Sequence, residues 1–379
     1  MGRTALAVTG LAVFLGGPLA EPAVRLALFG RALAVRPAHL PGHGLFATDL
    51  PGVVGIAATA AGGVSGVILR AGKPERDRLD TAMSALGLRA DAVTVHTSDG
   101  AETAVTACVA RPGAARPWDS AAWTQRHTAV LAAGLDEALR SVADGSRPAA
   151  LFRRWPQVLS RVSSRLRATK AAPTLVRRAA AAGDIQPARR SEPYADFFAV
   201  EDHDLRFRRF NGGFADPVSR AAFVACDAVT VLPYDPARDR VLVVEQFRMG
   251  PFARGDAQPW SLEAVAGRVD PFETPEDAAR REAAEEAGLT LGRLLSVAEY
   301  YPSPGAVTEF LYSWIGLVEL PQTGAWLGGL ESEAEDIRCH VMDFAGLMAL
   351  IDSGEVQNAP LILSALWLSR ARDGLRAAG

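Results

Sequence analysis

Over the first hundred residues the apolar positions come in short runs cut by glycine and proline. ALAVTGLAVF (5–14), GVVGIAATA (52–60), GVSGVILRA (63–71) and DAVTVHTSDG (91–100) predict strands of a small sheet, with one helix around Pro74 to Leu86. From Trp118 the period lengthens to 3.6. Trp123, His127, Val130, Leu131 and Leu135 fall on one helical face, which Leu139 and Val142 extend. Residues 146–192 are rich in Arg and Ala and carry prolines at 148, 156, 173 and 187, a pattern of short helices and linker. Strand signals return at Tyr194. The apolar runs Ala228 to Tyr234 and Arg240 to Gln246 flank the turn-forming DPARD and predict a hairpin. These changes divide the chain into 1–145, a helical linker at 146–192, and 193–379.

A length of 379 residues suits two or three domains. Apolar residues make up 49% and charged residues 22%, which excludes wholesale disorder. The net charge of −3 excludes a global basic field for nucleic acid. Of 40 basic residues only Lys73 and Lys170 are lysine, and the arginine bias suits phosphate binding only where a site is built. Cys108, Cys226 and Cys339 lie far apart without CxxC or His spacing, so no disulfide framework or structural zinc site is expected, and a reducing cytoplasm fits. Ala5 to Ala20 is apolar and follows Arg3, as a signal peptide would be. It is shorter than the ~20 residues a bilayer needs. Gly16, Gly17 and Pro18 break it as a helix, so a buried first strand running into a glycine turn is expected instead.

The chemistry lies in GRVDPFETPEDAARREAAEEAGL, Gly267 to Leu289. Thr274 is an N-cap, Pro275 suits the first helical position, Asp277 completes a capping box and Gly288 suits the residue past the last turn. The predicted helix runs from Pro275 to Ala287. Ala279, Ala283 and Ala287 form a small face for close packing, while Glu282, Glu285 and Glu286 share another. Like charges so spaced cost a few tenths of a kcal/mol per pair. Arg280 and Arg281 relieve part of this in a solvated acidic face. The other reading is a site for a hard divalent cation, which takes oxygen ligands. Magnesium is commonly held by one or two carboxylates plus substrate phosphates.

Gly267, Glu273, Arg281, Glu282, Ala283, Glu285, Glu286, Gly288 and Leu289 stand at the positions of G-x5-E-x7-R-E-U-x-E-E-x-G-U, where U is apolar. The segment thereby resembles the Nudix box, with Ala283 smaller than the usual aliphatic residue. Agreement by chance at one start is on the order of 10⁻⁸ to 10⁻⁹ at average residue usage. VVEQFR (243–248), WSLEAVAGRVD (260–270), YYPSPGAVTE (300–309), GGLESEAEDIR (328–338) and VQNAPLILSALWL (356–368) extend the likeness to bacterial ADP-ribose pyrophosphatases over about residues 194–372.

The resemblance implies an α/β/α sandwich with a mixed sheet, a homodimer, and Mg²⁺- or Mn²⁺-dependent hydrolysis of the diphosphate of ADP-ribose or another nucleoside diphosphate sugar. A non-hydrolysing ADP-ribose sensor is the alternative from a different class. By the same likeness, Glu282 and Glu286 are metal-binding glutamates, Glu285 a second-metal or water-mediated ligand, and the Ala266 carbonyl a main-chain ligand. Glu333 resembles the general base and Glu335 a further metal ligand, with Glu331 a rival for either role. Arg248, Glu309 and Arg220 resemble substrate contacts. Ala225 stands where the family often has a second arginine.

FLGGPL (14–19), residues 29–46, VSGVILR (64–70), RLDTAMSALG (78–87) and PWDSAAW (117–123) more weakly resemble the gamma-glutamylcyclotransferase-like (AIG2-like) fold, a small α+β barrel. Gly16 and Pro18 depart from its substrate loop. Met83 stands at its catalytic glutamate, and a thioether transfers no proton. This half is therefore expected to be non-catalytic, with Met83 in the core. The combination of halves resembles TrgB-type tellurite resistance proteins, a label that specifies no reaction.

Overall fold

A computed structural model describes residues 10–109, 116–118, 121–170, 172–321, 324–330 and 335–377. The chain forms two units, Met1–Ala179 and Ala180–Gly379.

In the first unit the strands Leu11–Gly16, Val35–Ala47, Val54–Ala71, Leu88–Thr97 and Gly100–Val109 pair in a path that returns on itself. The first strand lies antiparallel to the third (Val13↔Leu69) and parallel to the fifth (Val13↔Val105). The pair His39↔His96 joins the second strand to the fourth. Phe14, Leu40, Ile56, Val64, Ile68 and Val95 fill the interior, the alternation expected of strands that enclose a core. The expected first strand is present from Leu11 and runs into the tight turn Gly17–Ala20, where Gly17 takes a φ of +56°. Residues 5–9 lie outside the described residues.

The helix expected around Pro74 spans Lys73–Ala85, and Met83 is buried in it. The 3.6-period segment forms Ala121–Ala143, with Leu131, Leu135 and Leu139 buried. The stretch read as linker is divided between the two units. Its helix Pro148–Ala168 packs against Lys73–Ala85 and Ala121–Ala143 and buries Leu151, Trp155, Val158 and Leu159. The Trp155 indole N–H donates to the Pro51 carbonyl at 2.9 Å. Counting prolines hid this apolar stripe, because Pro148 occupies the first turn, where its missing N–H costs nothing.

The second unit opens with a three-stranded antiparallel sheet, Ile185–Ala195, Ala199–Phe207 and Val218–Val224. An eight-stranded mixed sheet follows. Its central strand Ala228–Asp235 runs parallel to Leu311–Leu317 and antiparallel to Val265–Arg268. The predicted hairpin pairs only at its tip, Tyr234↔Val241 and Asp235↔Arg240, because each arm then takes other partners. Alternate residues face opposite layers. Val229, Val231, Leu242 and Val244 pack under the helix Pro275–Ala287 through Ala278, Ala279, Ala283 and Ala287. Leu232, Tyr234, Val241 and Val243 pack under Phe344–Ser353 and Ala359–Ala377. The result is an α/β/α sandwich with a mixed sheet.

The environment of Met83 gives a direct test. Met83→Glu places an unpaired carboxylate in a core position and should lower the melting temperature by roughly 5–10 °C without creating cyclotransferase activity. Release of 5-oxoproline from a gamma-glutamyl substrate by the unaltered protein would refute the non-catalytic expectation.

Candidate active site

The capped helix Pro275–Ala287 positions the acids. Thr274 Oγ1 accepts from the Asp277 backbone N–H at 3.1 Å, and Gly288 closes the last turn with a φ of +67°. The Ala279/Ala283/Ala287 face lies on the sheet with each residue at most 4% exposed. That contact brings the glutamates down against the strand Val265–Arg268. A Cβ on Gly267 would stand 1.9 Å from Glu282 Oε1, so the glycine that opens the box makes room for the carboxylate.

Burial distinguishes the three helical glutamates. Glu286 is 1% exposed and accepts from the Ala266 N–H at 3.2 Å. Glu286 is therefore not part of a solvated acidic face. Sequence spacing gives the face, and the depth of the sheet contact decides how much of it is covered. Burial, with the charges of Glu282 and Glu335, pushes its carboxyl up to about 8 against the Ala266 hydrogen bond. Burial likewise raises Glu282 to about 7, opposed by Arg281 and aided by Glu285 and Glu335. Glu285 is held by Arg281 at 2.7 Å.

Arg281 binds this group together. Its guanidinium donates to both oxygens of Glu273 (3.0 and 3.1 Å), to Glu282 (2.8 Å), to Glu285 and to the Arg268 carbonyl. Arg280, expected to help relieve the acids, instead reaches the Leu291 and Gly292 carbonyls at 2.8 and 2.9 Å.

A cavity of about 580 Å³ opens over these groups. Ala266, Glu282, Arg248, Glu309 and Glu335 line it, joined by Glu263, Arg268, Asp270, Phe197 and Asn358. Arg248 follows the strand Arg240–Phe247 and grips Glu263 through two hydrogen bonds, 3.0 and 2.8 Å. Glu309 is carried by a loop that the preceding sheet ties down: Thr308 Oγ1 donates to the Ala225 carbonyl at 2.8 Å and accepts its N–H at 3.0 Å. Burial raises the Glu309 carboxyl, and Arg268 and Arg248 pull it back. Glu335 accepts from the Leu330 N–H at 3.4 Å.

Arg220 is not brought to this cavity. It stands exposed on Val218–Val224, its guanidinium on the Ser219 carbonyl. Glu331 and Glu333 lie outside the described residues. Sequence reasoning missed Arg268, which stacks 3.4 Å over the Phe197 ring centroid, and Glu263, the partner of Arg248. The spacing WSLE to EQFR carries the second signal, since antiparallel pairing of these strands sets Val244 opposite Glu263. His203 and His340 are paired with Glu201 and Glu245, each at 2.9 Å, outside the cavity lining.

The donor set fits a hard divalent cation. Glu286 is buried and Glu282 half-buried beside Glu335; loss of solvent is the main cause of their raised pKa values, and the neighbouring carboxylates add to it, so a cation that replaces water as their partner suits them.

The family model described as NUDIX domain matches residues 225–362. An ADP-ribose pyrophosphatase of Escherichia coli K12 is 35% identical over 193 residues, 51% of this chain and 91% of that protein. The chain belongs to the Nudix family. An ADP-ribose pyrophosphatase of Haemophilus influenzae is 33% identical over 177 residues, covering 46% and 81% of the two chains. A GDP-mannose pyrophosphatase of Pectobacterium atrosepticum is 29% identical over 167 residues, covering 44% and 84%. All three alignments span about half of this chain.

The raised Glu286 pKa gives the Nudix unit a pH signature. Between about pH 4.5 and 8 the folded, metal-free protein keeps a proton that the unfolded chain has released, so its stability falls as pH rises through that window. Glu286→Gln removes this loss and keeps an acceptor for Ala266. Without metal it should melt a few degrees above the parent at pH 8 and level with it at pH 5. A gain at pH 5 that vanishes at pH 8 would reverse the assignment.

Proposed function

We propose that the chain is a divalent-cation-dependent ADP-ribose diphosphatase, yielding AMP and ribose 5-phosphate. The observation that carries this is the carboxylate group in which Glu282 and Glu335 line a cavity walled by Arg248 and Arg268, with Glu286 buried beside them. A module that only senses ADP-ribose has no need to bury so many acids. The E. coli and H. influenzae relatives carry the substrate's name, and the GDP-mannose relatives keep other nucleoside diphosphate sugars as the second reading.

Glu282, Glu286, Glu335 and the Ala266 carbonyl would hold Mg²⁺ or Mn²⁺, with Glu285 outermost. The cation would neutralise diphosphate oxygens and acidify water. The chain's own groups do the rest. Arg248, fixed by Glu263, and Arg268 face the anionic substrate, and Glu309 takes hydroxyls. Glu333 accepts the proton of the attacking water as its oxygen bonds to phosphorus and the anhydride P–O bond breaks. Arg220, exposed and away from the cavity, fits a homodimer in which substrate contacts are shared. The first unit has a non-catalytic role, since Leu45 packs over Gly16 and Gly17 where a substrate loop would open. The three buried cysteines, all unpaired, fit a reducing cytoplasm, and no helix among the described residues is long and apolar enough to cross a membrane.

Incubation of pure protein with ADP-ribose and Mg²⁺ in ¹⁸O-water should give AMP and ribose 5-phosphate, the label marking the phosphorus attacked. Binding without turnover would establish the sensor instead. Glu282→Gln and Glu286→Gln should abolish metal-dependent turnover with the far-UV spectrum unchanged. Glu333→Gln should lower kcat by ~10²–10⁴ with little change in KM. Glu335→Gln should raise the Mg²⁺ needed for half-activity, with partial recovery in excess metal. The reverse pattern would exchange the last two roles, and full activity in both would move the base to Glu331 or Glu309.

A further inference from the structure

The strand Gly324–Gly328 lies at the edge of the mixed sheet, paired with Ile337–Asp343, and its end meets the acids. A Cβ on Gly328 would stand 1.9 Å from the Glu286 carbonyl oxygen and 3.0 Å from the carbonyl carbon. Backbone meets backbone there, so no side chain can turn aside to make room. The same oxygen accepts from the thiol of Cys339, on the paired strand, at 3.4 Å. The Glu286 carbonyl is among the last four of its helix, which find no N–H within the helix. A glycine and a thiol thus hold the main chain of Glu286, while the Ala266 N–H holds its carboxylate at 3.2 Å.

The next residue meets the other acid. Gly329 takes a φ of +89°, where glycine is favoured, and a Cβ on it would stand 3.0 Å from Glu335 Cβ and 3.1 Å from the Glu335 carbonyl oxygen. Leu330 adds two hydrogen bonds: its N–H donates to the Glu335 carboxylate at 3.4 Å, and its carbonyl accepts the Glu335 N–H at 3.2 Å. Helix geometry sets Glu282 against Glu286, one turn apart, but it says nothing about Glu335. The two acids are joined through neighbouring glycines, whose Cα atoms a trans peptide holds about 3.8 Å apart.

We infer that Gly328 and Gly329 are positioning residues for the cation: together they set how far Glu335 stands from Glu286, and Cys339 supports the Glu286 end. This rests on the reading of these acids as cation ligands and adds to it what fixes their separation. Mg²⁺ demands near-ideal geometry at about 2.0–2.1 Å from its oxygens, so moving either glutamate by the width of a methyl group lowers affinity.

The test titrates Mn²⁺ into the full-length parent and variants, with electron paramagnetic resonance reading Kd and a melting scan of each metal-free protein beside it. Gly328→Ala and Gly329→Ala should each raise Kd about tenfold. In a Glu335→Gln background Gly329→Ala should add less than about twofold, because the ligand it places is gone, whereas Gly328→Ala, acting through Glu286, should keep its full effect. Val341→Ala, on the strand of Cys339 and in the same core, should lower the melting temperature with Kd within about twofold of the parent. The Mg²⁺ needed for half-activity should follow Kd, with KM for ADP-ribose at saturating Mg²⁺ within about twofold. If Gly328→Ala fails to fold, Cys339→Ala reads the same end: it should raise Kd about threefold, and Cys339→Ser, which keeps a donor, should restore it. Parent-like Kd in both glycine variants would overturn the inference and leave the cation reading intact. So would an equal rise in Val341→Ala, which would reduce the glycines to general stability. A parent that takes up no Mn²⁺ would overturn the cation reading and this inference with it.

Discussion

Carboxylates crowded into a poorly solvated cleft repel one another, and the Nudix unit is organised around that cost. Arg281 meets it on one side by donating to Glu273, Glu282 and Glu285 at once, and to the strand that carries the box glycine. Gly267 meets it on the other by leaving the Glu282 carboxylate the space a side chain would fill. The alanine face brings the helix close to the sheet, which is why Glu286 ends up almost without solvent. Each feature has little purpose alone. Together they hold negative charge at a density that calls for a divalent cation.

The same constraint explains the walls of the cavity. Arg248 and Arg268 face the acids, and each is fixed by a partner of its own: Arg248 by the two oxygens of Glu263, and Arg268 by the ring of Phe197. Fixed cations at the rim pre-organise the site for an anionic ligand without neutralising the acids beneath. Glu309 reaches the rim because Thr308 is bound to the backbone at Ala225, a position whose side chain takes no part.

Much of this was legible in the sequence where the determinant is local. The Thr274 cap, the Pro275 start, the Gly288 stop and the alanine face all follow from residues within one or two turns of each other. The helix Ala121–Ala143 follows from periodicity for the same reason. What could not be read depends on long-range pairing. The burial of Glu286 depends on a strand twenty residues away, and Arg248–Glu263 on the register of two strands. The closure of the first unit's sheet depends on pairing Val13 with Val105. The helix Pro148–Ala168 was obscured by composition, since its prolines and arginines hide an apolar stripe that only its neighbours reveal.

The claim beneath all of this is that the buried acids form a cation site. Electron paramagnetic resonance of Mn²⁺ titrated into the protein at pH 8 reads that site without any substrate. The account predicts that the free-ion signal is suppressed in proportion to parent protein and persists when Glu282→Gln and Glu286→Gln are combined. Equal uptake of Mn²⁺ by parent and double variant would contradict it.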